Sequence, residues 1–254
     1  MVNNNDVLKS NITLIRESIA EAARKSNRKT TSISLHAATK GVTPENIFYA
    51  VQFGITEIGE NWVQEAKPKT AILSELVEAS QFDMPRLHMI GHLQSNKARE
   101  ALTVFDSIDT LDSKEIAERM NRILGENETK IQTFIEIDLT GDPNRNGFRL
   151  QLEQDSDSYS NFLESVDAIS KLENIELTGL MTVPPITSNP EDARPYFSKA
   201  KSIFDDLKTQ FPNHPFTDLS MGMTNDYHIA IEEGATIIRL GTAIFGKRPA
   251  GRTY

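Results

Sequence analysis

The chain has 254 residues, no cysteine and a formal net charge of -9 at pH 7. A chain of this length can form one large domain with a sizeable core, and α/β barrels often have about this length. The absence of cysteine excludes disulfides and thiolate metal sites. The acidic balance argues against a general surface for nucleic acid or anionic membranes, although it leaves room for a small basic pocket around one phosphate.

The first predicted element is an amphipathic helix over Val7 to Ala23, because apolar residues recur there at helical spacing. The N-terminal sequence lacks the apolar core of a secretory signal, and no stretch approaches the ~18 apolar residues of a membrane span. We therefore expect a cytoplasmic protein that binds neither membrane nor nucleic acid.

Eight short strand-like runs follow the first helix, and helical stretches separate most of them. Thr43-Pro44-Glu45 and Asp112-Ser113 are typical helix starts. The runs are ISLHAATK (33–40), TEIG (56–59), LHMIG (87–91), VFDSIDT (104–110), IQTFIEID (131–138), IELTGLM (175–181), FTDLS (216–220) and TIIRLG (236–241).

This alternation suits either a closed (β/α)₈ barrel or an open doubly wound sheet. No G-x-G-x-x-G follows the first run, which disfavours the dinucleotide-binding form of the open sheet. The sequence therefore predicts an α/β protein with a single (β/α)₈ TIM-type barrel domain over residues 1–254 and an extra N-terminal helix. The polar segment 141–161 is predicted to form a long loop after the fifth strand.

Lys40 ends the first run, and the active site of a β/α barrel lies at the C-terminal strand ends. Alternation along the strand places Ser34, His36, Ala38 and Lys40 on one face, which we expect to be the interior. A lysine in the barrel mouth must find an anion or lose its proton, and the unprotonated amine can form an imine with an aldehyde. Taken alone, a strand-end lysine that extends to solvent is the simpler interpretation.

The last two loops favour a phosphate site. Ser220-Met221-Gly222-Met223-Thr224 precedes one predicted helix, and Gly241-Thr242 begins another. Barrels often bind a phosphate between the loops after strands seven and eight, where glycines let backbone N–H groups approach an oxyanion. Ordinary strand-to-helix turns are the alternative for either cluster alone.

Arg239 lies two residues before Gly241, so both should point into the barrel. The alternative to a ligand-binding role is a structural arginine paired with an interior carboxylate such as Glu136 or Asp138.

Motifs in one order along nearly the whole chain resemble the YggS/PROSC family of pyridoxal 5′-phosphate (PLP) homeostasis proteins. That family's fold is similar to the N-terminal barrel of alanine racemase. The motifs are A-T-K (38–40), I-G-E-N-W-V-Q-E (58–65), H-M-I-G-H-L-Q-S-N-K (88–97), G-L-M-T-V (179–183), L-S-M-G-M-T-N-D (219–226) and I-R-L-G-T-A-I-F-G (238–246).

The resemblance implies that PLP is the cofactor and forms a Schiff base on Lys40. It implies a phosphate site and contacts to the cofactor ring, with Arg239 facing the pyridine nitrogen and Asn61 near the ring. The phosphate site would comprise Thr224, Gly241, Thr242 and the backbone of Met223, with Ser220 among the cofactor-binding residues. No metal site and no catalytic residue is expected.

Three departures from the family pattern involve four positions. Gly41 follows the lysine where the family usually has threonine. Glu136 and Asp138 stand where the family tends to have amides, and His36 replaces a usually aliphatic interior residue. We expect His36 to be a satisfied core histidine.

An arginine at the pyridine nitrogen makes the ring a poor electron acceptor, which favours a PLP carrier over an enzyme. Alanine racemase takes a catalytic tyrosine from a second domain, and no such domain is expected here because the chain ends at Tyr254. The alternatives are a weak amino-acid racemase, a lysine Schiff-base aldolase or a pure interaction scaffold. Candidate partners are PLP and PLP-dependent apo-enzymes, and we expect a monomer.

Overall fold

The computed structural model describes residues 4–153 and 155–247, so Tyr254 lies outside the described residues. Its strands are β1 Ser34–Ala38, β2 Glu57–Glu60, β3 Arg86–Met89, β4 Ser107–Leu111, β5 Ile131–Asp138, β6 Phe148–Arg149, β7 Ile175–Thr182, β8 Asp218–Ser220 and β9 Ile237–Leu240. Its helices are α1 Asn4–Lys25, α2 Pro44–Gln52, α3 Val63–Glu78, α4 Ala98–Ala101, α5 Lys114–Gly125, α6 Ser156–Ser170, α7 Arg194–Gln210, α8 Tyr227–Glu232 and α9 Thr242–Phe245.

Eight of these strands close into a parallel barrel. The sheet order is β4-β3-β2-β1-β9-β8-β7-β5, and β4 pairs with β5 to complete the circle. Each predicted run overlaps one barrel strand, so the (β/α)₈ fold with an extra N-terminal helix is confirmed. All eight C-terminal strand ends meet at one mouth, as parallel closure requires.

Helix α1 packs against the last β/α unit. Its apolar face, which includes Ile12, Ile15 and Ile19, is buried. The Asn11 side chain donates a hydrogen bond to the carbonyl of Ile244 at 2.9 Å, which ties α1 to α9. Among the described helices, none is both long and apolar enough to cross a membrane.

The prediction of an uninterrupted loop over 141–161 is wrong. Strand β6 pairs with the end of β5, and α6 begins at Ser156. The Asp155 carboxylate caps that helix by accepting hydrogen bonds from the backbone of Asp157 and Ser158. The apolar residues that anchor this helix in the core come later (Phe162, Val166, Ile169), so its first turn has only a polar composition.

Few apolar side chains fill the interior of the barrel. A small apolar cluster of Phe134, Met181 and Ile237 lies inside the barrel. Gly179 makes room for it, since a Cβ there would lie 2.5 Å from Cδ1 of Phe134. Much of the remaining interior is polar or charged, including His36, His88, Asp109, Ser220 and Arg239.

Candidate functional site

A cavity of about 450 Å³ opens at the C-terminal mouth of the barrel, next to β1, β8 and β9. This volume lies in the range of small-molecule pockets. The lining includes Ala38 and five predicted cofactor residues, which are Met223, Thr224, Arg239, Gly241 and Thr242. The structure therefore brings together the two terminal loops that the sequence singled out.

The two loops contact each other through Thr224. Its hydroxyl accepts a hydrogen bond from the backbone N–H of Ala243 at 3.4 Å, so the loop after β8 meets the first turn of α9. Within 4–153 and 155–247, the backbone N–H groups of Thr224 and Asn225 donate to no acceptor. These two amides and the hydroxyls of Thr224 and Thr242 are among the oxyanion donors on this side of the pocket.

The backbone N–H of Met223 is already engaged. It donates to the carboxylate of Asp226 at 2.6 Å, which holds the turn after Gly222 in place. The role predicted for the Met223 amide therefore competes with an internal acceptor. Sequence reasoning missed Asp226, although an acidic residue three positions after a loop amide is a common turn signal.

Arg239 lies at the bottom of the pocket and is 5% exposed. One guanidinium nitrogen donates to the Ser220 hydroxyl at 2.5 Å, and the other terminal nitrogen donates to the Thr182 carbonyl at 3.0 Å. Burial lowers the pKa of Arg239, whereas nearby carboxylates at Asp109, Glu136 and Asp226 act in the opposite direction.

The alternative of an ion-paired structural arginine is wrong. Across the described ranges, no carboxylate oxygen lies within 4.0 Å of the Arg239 guanidinium, so neither Glu136 nor Asp138 pairs with it. Ser220 is fully buried and contacts Arg239. It therefore orients the arginine, and its direct contact with a cofactor stays a prediction.

Lys40 follows β1 on a turn at the same mouth. Its Nζ lies 5.8 Å from the centroid of the Trp62 ring, which is a cation–π distance. Asn61 directly follows β2, and its backbone passes so close to Gly91 that a Cβ there would clash. The predicted anchor and ring contact thus lie at the ends of β1 and β2, and β1 pairs directly with β9, which leads into the last terminal loop.

A buried ionic network fixes the backbone around Lys40. The Lys69 ammonium donates to the Thr39 carbonyl at 2.8 Å, to Glu60 at 2.7 Å and to Glu65 at 2.5 Å. Glu65 also accepts the N–H of Gly41 at 2.6 Å. Burial raises the pKa of Glu60, and the Lys69 charge opposes that rise.

Sequence reasoning missed this network. The pair Glu65 and Lys69 has the i, i+4 spacing of a helical ion pair, which is the signal that could have identified it. A second cavity of about 500 Å³ lies between this turn and α3, lined in part by Trp62, Pro68 and Ile72.

His88 is buried inside the barrel between two carboxylates. Burial lowers its pKa, but contacts with Asp109 at 3.2 Å and Glu57 at 2.8 Å outweigh that effect and raise it to about 9. The centroid of the His36 ring lies 4.2 Å from that of the His88 ring, and the two planes are tilted by 49°. Burial, with help from the charges of His88 and Arg239, holds the pKa of His36 well below its usual value.

The prediction that His36 is a satisfied core histidine is wrong. Its ring is buried, but its Nδ1 has no hydrogen-bond partner among the described residues. Neutral imidazole has one nitrogen that must accept and one that must donate, so an unpaired buried nitrogen is costly.

Comparison with known proteins identifies the family. The family model described as "Alanine racemase, N-terminal domain" matches residues 6–249. The chain is 35% identical over 234 residues to a pyridoxal phosphate homeostasis protein of Aquifex aeolicus, covering 92% of this chain and 95% of the relative. It is 34% identical over 241 residues to the protein of that name from Haemophilus influenzae, covering 95% and 96%. The chain belongs to the pyridoxal phosphate homeostasis protein family.

A solved structure agrees with this family. PipY of Synechococcus elongatus PCC7942 with PLP bound superposes with a TM-score of 0.74 at 34% sequence identity, covering 90% of this chain and 100% of that one.

Glu136 is a position where family resemblance leads us to expect an amide. Burial raises its pKa to about 7, the charges of Asp112 and Asp138 add to the rise, and Arg239 and Arg145 oppose it. Its Oε2 is buried without a partner among the described residues. The carboxylate therefore titrates near neutral pH beside Arg239.

The first prediction concerns Glu136→Gln. The folded-state pKa of about 7 is above the ordinary value of 4.5, so the stabilising effect of the bound proton is lost as pH rises through 7. Glutamine does not titrate, so the variant should gain stability relative to the wild type between about pH 4.5 and 8, by on the order of 1–3 kcal/mol.

The measurement is the free energy of unfolding by urea across that pH range. Glu164→Gln, an exposed change on α6, is the matched control. Its free energy of unfolding should differ from that of the wild type by the same amount at every pH. If the difference for Glu136→Gln is also independent of pH, the Glu136 carboxylate has the same pKa in the folded and unfolded protein.

Proposed function

We propose that this chain binds PLP at the C-terminal mouth of the barrel, holds it as a Schiff base on Lys40 and acts in PLP homeostasis. The observation that carries the proposal is the pocket itself. Its lining joins Ala38, two residues before Lys40, to the terminal loops with their hydroxyls and N–H groups. Relatives at 34–35% identity are named for this function, and one related structure contains PLP.

Residues of the pocket and of the turn that follows β1 suit each part of this cofactor. Bound PLP supplies an aldehyde for a primary amine and a ring that accepts electrons. Lys40 provides the amine, and the network of Lys69, Glu60 and Glu65 fixes the turn that presents it. Lys69 donates to three acceptors, which suits it to a structural role.

The phosphate belongs at the terminal loops after β8 and β9. Thr224 and Thr242 offer hydroxyls, and the amides of Thr224 and Asn225 offer donors without internal partners in the described part of the chain. An oxyanion bound by such donors forms charge-assisted hydrogen bonds.

Arg239 favours a carrier over a committed enzyme. A permanently charged guanidinium at the pyridine nitrogen disfavours protonation of that nitrogen, which weakens the electron-accepting power of the ring. The proposal extends to a cytoplasmic monomer that passes PLP to apo-enzymes.

The anchor is tested by the absorbance spectrum of PLP-loaded protein. Lys40→Ala should remove the Schiff-base absorbance entirely, while noncovalent PLP binding persists because the phosphate donors lie elsewhere. Lys69→Arg keeps the charge next to Glu60 and Glu65 and is the control, so it should retain the absorbance. Full absorbance in Lys40→Ala would assign the anchor to another lysine.

The phosphate site is tested by Thr224→Ala and Thr242→Ala. Each should weaken PLP binding by roughly 10- to 100-fold, since one charge-assisted hydrogen bond contributes roughly 1.5–3 kcal/mol. Binding of unphosphorylated pyridoxal should hardly change.

Thr187→Ala is the matched control, because Thr187 lines the same pocket outside the two terminal loops. Its PLP affinity should equal that of the wild type in a fluorescence titration. Equal losses for PLP and pyridoxal in the two test variants would place Thr224 and Thr242 away from the phosphate.

The carrier role is tested through exchange of the α-proton of alanine with solvent deuterium, followed by NMR at saturating PLP. The wild type should exchange more slowly than ~1 per second, an ordinary lower range for enzyme turnover. Arg239→Glu, if it retains PLP, should exchange faster, and Arg239→Gln controls for loss of the contacts with Ser220 and Thr182. Exchange by the wild type at enzyme rates would support the racemase alternative.

A further inference from the structure

Three potential metal ligands lie together inside the barrel, away from the cofactor pocket. His36, Glu57 and His88 each offer one ligand atom, and these atoms all lie within 4.8 Å of one another. No other such group occurs in residues 4–153 and 155–247. None of the three lines the pocket at the barrel mouth.

The strands hold these side chains in a defined arrangement. Neighbouring strands β1, β2 and β3 supply one ligand each. His36 is paired in register with Glu57, and His88 is paired with Gly59, two residues along β2. Ligands on adjacent strands of a closed barrel are positioned more precisely than ligands on loops.

An independent observation points to a ligand at this cluster. His36 is 2% exposed, and its Nδ1 has no hydrogen-bond partner within the described chain. The hydrogen bonds of the neighbouring ion pair do not include His36. A metal ion would supply the partner that this buried nitrogen lacks.

The second imidazole has the surroundings of a metal-bound histidine. His88 Nδ1 lies 3.2 Å from both carboxylate oxygens of Asp109, and Asp109 accepts a hydrogen bond from Ser107 at 2.5 Å. A carboxylate on one ring nitrogen orients the other nitrogen toward a metal, as in carboxylate–histidine–zinc arrangements. The other nitrogen, Nε2, lies on the Glu57 side.

We propose that His36, His88 and Glu57 bind one divalent transition-metal ion of the Zn²⁺ type. Two imidazoles and one carboxylate are a common zinc donor set, whereas Mg²⁺ and Ca²⁺ prefer oxygen ligands. Metal–ligand bonds of roughly 2.1 Å in a tetrahedral site place the donor atoms about 3.4 Å apart. Side-chain shifts of about 1 Å therefore convert the present spacing into a coordination site.

The ion replaces the proton shared between His88 and Glu57. Coordination uses the lone pair of Nε2, so the proton on that nitrogen leaves to solvent when the ion binds. The side chain of Glu57 is 21% exposed, which provides a route from solvent to the cluster.

A purely structural ion pair between His88, Glu57 and Asp109 is the competing explanation. The two explanations assign different roles to His36. It contributes nothing to the ion pair, but the metal site requires it as a ligand. His36→Leu keeps the ring's approximate volume and leaves no hydrogen bond broken, so it separates the two explanations.

The experiment titrates full-length, chelator-treated protein with Zn²⁺ by calorimetry and with Co²⁺ by absorbance. We expect one ion per chain for the wild type, with d–d bands of four-coordinate Co²⁺ and no binding of Mg²⁺. His36→Leu should weaken Zn²⁺ binding by at least about 100-fold. Its melting temperature without metal should be equal to or above that of the wild type.

His92→Leu is the matched control, because His92 pairs with Asp112 at 2.7 Å but belongs to no such three-ligand group among the described residues. It should bind Zn²⁺ like the wild type. Glu57→Gln, which keeps the contact between His88 and Asp109, should also weaken binding and serves if His36→Leu folds poorly. Equal binding by the wild type and both site variants, or no saturable binding by the wild type, would overturn the proposal.

Discussion

The buried guanidinium of Arg239 is the contact between the cofactor pocket and the charged interior of the barrel. It donates to Ser220 and to the Thr182 carbonyl, so its position is set by neutral acceptors. Burial penalises its charge, and carboxylates that do not touch it, Asp109 and Glu136 among them, favour that charge. The acidic residues in the barrel therefore stabilise the charge of Arg239 at a distance, through their electrostatic potential. They favour a cation at the bottom of the pocket.

Much of the architecture could be predicted from the sequence, because local signals agree with the fold. The eight barrel strands were predicted from strand-like runs that alternate with capped helices. Closure of a parallel barrel then brings the C-terminal ends of these strands together. This is why the terminal loops around Thr224 and Gly241 could be assigned to one pocket with Lys40 nearby. The polar start of α6 at Ser156 was mistaken for loop, since the apolar residues that anchor this helix come later in the chain.

Features that depend on long-range contacts could not be predicted. The burial of Lys69 with Glu60 becomes visible only when the turn after β1 lies against α3. The engagement of the Met223 amide by Asp226 depends on the exact path of the loop. The sequence placed His36 correctly in the barrel interior. Its Nδ1 has no partner among the described residues, whereas the nearby Asp109 carboxylate is paired with His88, and such pairings cannot be read from the sequence.

We propose Lys40 as the covalent anchor for PLP. The most direct measurement is borohydride reduction of the PLP-loaded wild type, followed by proteolysis and mass spectrometry of the labelled peptides. We expect a single reduced pyridoxyl adduct, on Lys40, with Lys69 unmodified. An adduct confined to any other lysine, or no adduct at saturating PLP, would contradict it.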